Sequence, residues 1–230
     1  MDILLIIPPF IQLNTPYTSI TSLTGFLKER QFAATQRDLS LDLFLSIHSR
    51  NGLQMLFDNA QSSESELSEN ALFILENKDL YITTIDSIIK FLQNEDPTLA
   101  TRICTRNMLP EASRFMQFDD VDESFGYMGI VDKAKHLATL YLEDIADFIK
   151  EAIDSEYGMS RYAESLALSA ESFDSLYEKL CSKPSIIDNL MLDIFDDYLQ
   201  QTKPRIIGIS IPFPGNVYMA LRCKKYKRKV

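Results

Sequence analysis

The residues able to do chemistry are few and scattered. The chain of 230 residues holds two histidines, His48 and His136, and three cysteines, Cys104, Cys181 and Cys223. Acid–base work by a histidine needs a partner within hydrogen-bond reach. His48 follows Asp42 by six residues and precedes Gly52 by four, and neither spacing names such a partner. His136 stands beside an apolar helical stripe and reads as a boundary residue. The cysteines are odd in number and show no CxxC or CxxxCxxC spacing, so they supply no zinc or iron–sulfur ligand set. Asp119, Asp120, Asp122 and Glu123 cluster without EF-hand spacing and read as a solvated loop. GxGxxG and Walker A patterns are absent, and seven glycines in the whole chain argue against a backbone cradle for phosphate.

Two proline-stiffened loops remain, and their side chains suit binding rather than reaction. One is Pro8-Pro9-Phe10, continued by Asn14-Thr15-Pro16-Tyr17. The other is Ser210-Ile211-Pro212-Phe213-Pro214-Gly215-Asn216. Read for function, each is a rigid loop at the C-terminal edge of a sheet, poised at a ligand. Asn14, Thr15, Tyr17, Ser210 and Asn216 are the candidate hydrogen-bonding groups, and Gly215 offers close backbone approach. The plain alternative is a pair of strand-to-helix turns, with Asn216 capping a helix from Val217.

Each loop leaves a short apolar run. Ile3–Ile7 ends at Pro8, and Ile206–Ile211 ends at Pro212. Continuous β-branched runs without polar alternation fit parallel strands buried on both faces, and proline stops the ladder. If the two strands are neighbours, both loops meet at the C-terminal edge of the sheet, where open α/β sheets bind ligands. A helix over Ser19–Arg30 is expected between the strands, with Leu23, Phe26 and Leu27 as its apolar spacing and Thr18 or Ser19 as its cap. Phe32–Leu39 reads as a second, edge strand leading to Asp38. A helix through Leu45–Arg50 should end or bend at Gly52. From there to Gln201 the periodicity is helical, clearest over Ile130–Ile153, where Ala134, Leu137, Ala138, Tyr141, Ile145, Phe148, Ile149 and Ile153 form one stripe. Further helices are expected over Ser160–Cys181 and Pro184–Gln201, the latter with Leu190, Ile194 and Leu199 apolar against Asp188, Asp193, Asp196 and Asp197. The expected fold is α/β: a Rossmann-like parallel sheet of three strands, order 2-1-3, formed by residues 1–53 and 202–230. An all-α insert, 54–201, interrupts it.

Composition narrows the partners. Hydrophobic residues make up 46 % of the chain and the net charge is −10, which suits a globular protein and speaks against nucleic acid. The bases Arg222, Lys224, Lys225, Lys227, Arg228 and Lys229 crowd the stretch 222–230, which has no acid. Asp2 follows Met1 where a secretory leader would carry a basic start, and no apolar run is long enough to span a bilayer. A cytoplasmic protein with reduced thiols, free of membranes, is expected.

The two loops and their strands resemble a family. Leu4-Leu5-Ile6-Ile7-Pro8-Pro9-Phe10, the following Asn14-Thr15-Pro16-Tyr17, and Gly208-Ile209-Ser210-Ile211-Pro212-Phe213-Pro214-Gly215-Asn216 look like the N-terminal cobalamin-binding domain of B12-binding radical SAM proteins. The similarity covers about residues 1–50 and 200–222, and the helical stretch between resembles the insert that some members carry. The resemblance implies cobalamin held across the C-terminal strand ends by Pro8, Pro9, Phe10, Asn14, Thr15, Tyr17, Asp38, Ser210, Pro212, Phe213, Gly215 and Asn216. It implies an iron–sulfur cluster and S-adenosylmethionine only in a missing C-terminal radical SAM domain, so that this chain alone is non-catalytic. The family's DxHxxG pattern is absent: Asp38-Leu39-Ser40 has no histidine where the pattern places one. Cobalamin here is therefore expected to lack a protein imidazole ligand. A sheet of this type is expected to continue to a fourth and fifth strand, which makes the chain a truncated module with an uncovered edge open to self-association. The alternative is a mainly helical interaction domain on an α/β scaffold with no cofactor. A hydrolase has no nucleophile–base pair to support it.

Overall fold

The computed structural model describes residues 2–12, 17–60, 67–117, 129–159 and 173–227. Asn14, Thr15, the acidic cluster Asp119–Glu123 and most of the expected helix Ser160–Cys181 lie outside these residues. The chain forms two compact units: residues 1–44 with 156–230, and Leu45–Ser155. The second unit is shorter than the insert expected over 54–201, because the helices after residue 173 cluster with the sheet.

The first unit is built on three parallel strands in the order β2-β1-β3: β1 (Ile3–Ile7), β2 (Ala34–Asp38) and β3 (Ile206–Ile209). Ile3 pairs with Ala34 on one side and Ile206 on the other, and Ile6 with Arg37 and Ile209. The central position explains the continuous apolar run of β1, whose Leu4, Leu5, Ile6 and Ile7 are all buried. β3 departs from expectation. Ile206 is exposed and Ile207 to Ile209 are half-buried, because β3 is an edge strand flanked by β1 alone among the described residues.

Alternation assigns the two faces. Leu5 and Ile7 pack with Ile11 and Ile20 and with Leu27 of α1 (Ser19–Glu29). On that face a Cβ at Gly208 would fall 2.6 Å from Leu5 Cδ2, so a larger residue there requires the Leu5 side chain to turn aside. The buried side of α1 is Ile20, Thr24 and half-buried Leu27, not the expected Leu23–Phe26–Leu27 set. Leu23 and Phe26 point outward, and the Arg30 guanidinium covers the Phe26 ring at 3.6 Å. Thr18 stands at the N-cap but makes no side-chain cap bond.

Helix α2 (Leu39–Ile47) follows β2 directly, and α3 (Arg50–Ala60) starts three residues after α2 ends. Gly52 does not stop a helix. It lies in the first turn of α3, where a Cβ would meet Ser46 O at 2.1 Å and Ile47 O at 2.5 Å. Ser49 caps α3 by accepting from Gly52 N at 3.0 Å.

The helical unit continues with α4 (Glu69–Glu76), α5 (Lys78–Leu92), α6 (Leu99–Cys104), a 3₁₀ turn at Ser113–Gln117, and α7 (Gly129–Ala152). The stripe of α7 is buried from Ala134 through Ile149, whereas Ile153, expected to extend it, follows the end of the helix and is half-buried. Phe148 meets the Phe57 ring at 5.1 Å, and Tyr141 stacks on Tyr81 at 5.2 Å. The same stripe contains a buried Asp144, whose carboxylate accepts from Ala112 N (3.2 Å) and Arg114 N (3.0 Å). Burial pushes its pKa up to about 6, against the pull of those two donors.

Three helices complete the first unit: α8 (Asp174–Cys181), α9 (Ile186–Thr202) and α10 (Val217–Lys227). Helix α9 opens with a capping box of Ser185 and Asp188. Its buried face is Ile187, Met191, Phe195 and Tyr198; the expected Leu190–Ile194–Leu199 stripe is half-buried. Asp188 is inside rather than solvated, because it also accepts from Tyr218 (2.7 Å) and pairs with buried Arg222 (3.0 Å). Arg222 in turn donates to the Leu180 and Lys179 carbonyls, which ends α8.

Candidate functional site

The strands deliver three segments to the C-terminal edge of the sheet: Pro8–Ile11 from β1, Asp38–Ser40 from β2, and Ser210–Asn216 from β3. Asn216 joins the first and third. Its Nδ2 donates to Pro8 O at 2.9 Å and to Phe10 O at 3.0 Å. Two carbonyl partners define which end of the amide is nitrogen. The opposite atom, Oδ1, is buried and accepts no hydrogen bond. Asn216 therefore ties two loops together instead of capping α10, which the 3₁₀ turn Pro214–Asn216 enters directly. Ser40 joins the second segment to the first, because its buried Oγ accepts from Ile11 N at 2.9 Å.

Pro8, Pro9, Phe10, Gly215 and Asn216 are all buried. They form the floor of the edge, with Phe10 set edge-to-face on buried Tyr157 at 5.7 Å. The accessible layer is different. Tyr17 is 42 % exposed and Phe213 50 %, and their rings meet edge-to-face at 5.7 Å. Ile211 is exposed and Pro212 half-buried. Ser19 Oγ, in the first turn of α1, and Ser210 Oγ share a proton-bearing contact of 2.6 Å. The result is an exposed ring pair, Tyr17 and Phe213, near a hydroxyl pair, while Ile211 lines a cleft with Ile207 and Ile209.

Asp38 sits apart from this ring pair in role. Its Oδ1 accepts from Leu41 N at 2.9 Å, starting α2, and burial raises its pKa from the ordinary aspartate value. Sequence reading missed its neighbours. Tyr198 of α9 donates to the Asp42 carboxylate, and the Arg37 guanidinium lies 5.6 Å from the Tyr198 ring. Burial, reinforced by Asp42, pushes the Tyr198 hydroxyl well above its ordinary value. These residues lie on three elements, and their separation of up to 161 positions leaves no local pattern to read.

Both histidines belong to the helical unit: His48 is buried there and His136 is half-buried on α7. Among the described residues no group of three or more His, Cys, Asp and Glu side chains could hold a metal ion. Cys104 lies in one unit, Cys181 and Cys223 in the other. No helix of the described residues is long and apolar enough to cross a membrane. No family model, curated protein or solved structure matches the chain.

Proposed function

We propose that the first unit is a cobalamin-binding-type module of a radical SAM protein, non-catalytic on its own. The observation that carries this reading is the exposed Tyr17–Phe213 ring pair at the C-terminal sheet edge, set on the loops that resemble the family. The corrin would rest its apolar face on these two rings. Ser19 and Ser210 would meet its amide groups, and Asn216 would hold the floor. Bound cobalamin supplies a cobalt centre for alkyl or electron chemistry; the chain's own residues seat and orient it.

Absorbance titration with hydroxocobalamin tests this. Phe213→Ala should weaken binding about three- to tenfold, the value of one aromatic contact beyond its area. Circular dichroism should be unchanged. Binding that ignores Phe213→Ala and Tyr17→Ala refutes the ring pair as the seat.

A second reading, a helical interaction domain without cofactor, draws on Leu72 and Phe73 of α4 and Leu80 of α5, all exposed in the second unit. It predicts loss of partner capture in Leu72→Glu/Leu80→Glu with corrinoid binding absent throughout.

A further inference from the structure

We propose that the outer edge of β3 receives an extended polypeptide strand from a partner protein, with alternating apolar side chains and an acidic residue that meets Lys224. Three observations lead there.

The first is the direction of the backbone groups. Ile206 N donates to Asp2 O at 3.2 Å, and Ser210 N to Ile6 O at 2.9 Å, so these residues face β1. The N–H and C=O of one strand residue point the same way and alternate along the chain. Ile207 and Ile209 therefore direct theirs away from β1. Among the described residues β3 pairs with β1 alone. This is the geometry used in β-strand addition.

The second is the space beside that edge. A cleft of about 510 Å³ opens there, lined mainly by apolar side chains, including Phe195, Ile207, Ile209, Leu221 and Cys223, with Lys224 beside them. A strand laid about 4.8 Å from β3 would place every second side chain into this cleft. A small apolar ligand could fill the volume but would leave the Ile207 and Ile209 backbone groups to water, whereas an added strand pairs them.

The third is charge, which chooses among polypeptides. Helix α10 carries Lys224, Lys225 and Lys227, and no acid occurs from Val217 to the end of the sequence. Lys225 turns inward to the Leu180 carbonyl at 2.6 Å, and Arg222 pairs with Asp188. Lys224 remains exposed among the cleft residues. Pairing β3 with β3 of a second copy about a two-fold axis normal to the sheet would bring two basic α10 helices side by side. Like charges at that position oppose the dimer and favour an acidic strand.

The test uses the full chain and a fluorescent, capped seven-residue peptide alternating valine with polar residues, one of them glutamate. Anisotropy should show saturable binding, with an about fivefold loss on exchanging the glutamate for lysine. Lys224→Glu should reverse that preference. Ile209→Pro removes an outward donor while leaving the β1 ladder intact, and should abolish binding. Leu221→Trp, which fills the cleft, should do the same and covers the case in which Ile209→Pro does not fold. No binding by the folded chain, or binding indifferent to Ile209→Pro and Leu221→Trp, overturns the proposal. Indifference to the charge exchange overturns the partner's acidic character. A dimer in sedimentation that Ile209→Pro dissolves assigns the edge to a second copy instead.

Discussion

Asn216 offers the most direct perturbation of the site's floor. In Asn216→Ala the Pro8 and Phe10 carbonyls, both buried, lose their donor together. A buried polar group left without a partner costs about 1–3 kcal/mol. Two carbonyls give an upper range near 6 kcal/mol, but the substitution also removes Oδ1, itself buried and without a partner. Relief of that one group returns about 1–2 kcal/mol. The expected net loss is therefore about 1–4 kcal/mol. Asn216→Asp is the sharper partner experiment. It keeps the shape but replaces the one nitrogen that donates both bonds with an oxygen facing two carbonyls, so it should be worse than alanine near neutral pH. Acid should restore part of the loss, since a protonated carboxyl regains one donor. Urea unfolding followed by circular dichroism, with slopes compared to confirm a shared mechanism, measures both. A loss below about 1 kcal/mol in both variants would mean that Asn216 does not hold the loops together.

Four further outcomes follow from the packing. Phe148→Ala should cost about 3–5 kcal/mol, because the ring is buried against Phe57; urea midpoints read this out. Arg222→Ala should cost about 3–5 kcal/mol by leaving Asp188 buried without its cation, and Asp188→Asn/Arg222→Ala should recover part of it in the same assay. Asp144 has a folded pKa of about 6, above its unfolded value near 4, so the native state holds the proton more tightly. Its contribution to stability is full below about pH 4 and is lost as pH rises through 6, so the wild type minus Asp144→Asn difference should fall over that window and flatten above it. Gly52→Ala should destabilise by about 1–3 kcal/mol or more in thermal unfolding, because its Cβ would strike two backbone carbonyls.

What the sequence made legible were the features that repeat along the chain. The apolar run of β1 and the stop at Pro8 led to a central parallel strand, and the proline-ended run at Ile206 led to its neighbour in the order 2-1-3. The long stripe of α7 was readable for the same reason. Short or ambiguous patterns misled. In α1 two faces carry apolar residues, and only the sheet decides that Ile20 and Thr24 go inward while Phe26 takes Arg30 as cover. In α9 the aspartates suggested a polar face, yet Asp188 goes inside because Arg222, thirty-four residues later, is there to pair with it. Isoleucines in β3 read as core, but burial also requires a neighbour on each side of the strand. At the site, the loops were visible as proline-rich segments. The division into a buried floor (Pro8, Phe10, Asn216) and an open ring pair (Tyr17, Phe213) was not, since it depends on which rings the loops turn outward.

Equilibrium dialysis of the full chain against hydroxocobalamin and against cob(II)alamin bears most directly on the proposed function. The account predicts saturable binding at one site per chain, weakened in Tyr17→Ala and Phe213→Ala, with a bound spectrum unchanged by His48→Ala. Retention of neither corrinoid by the folded chain would contradict it.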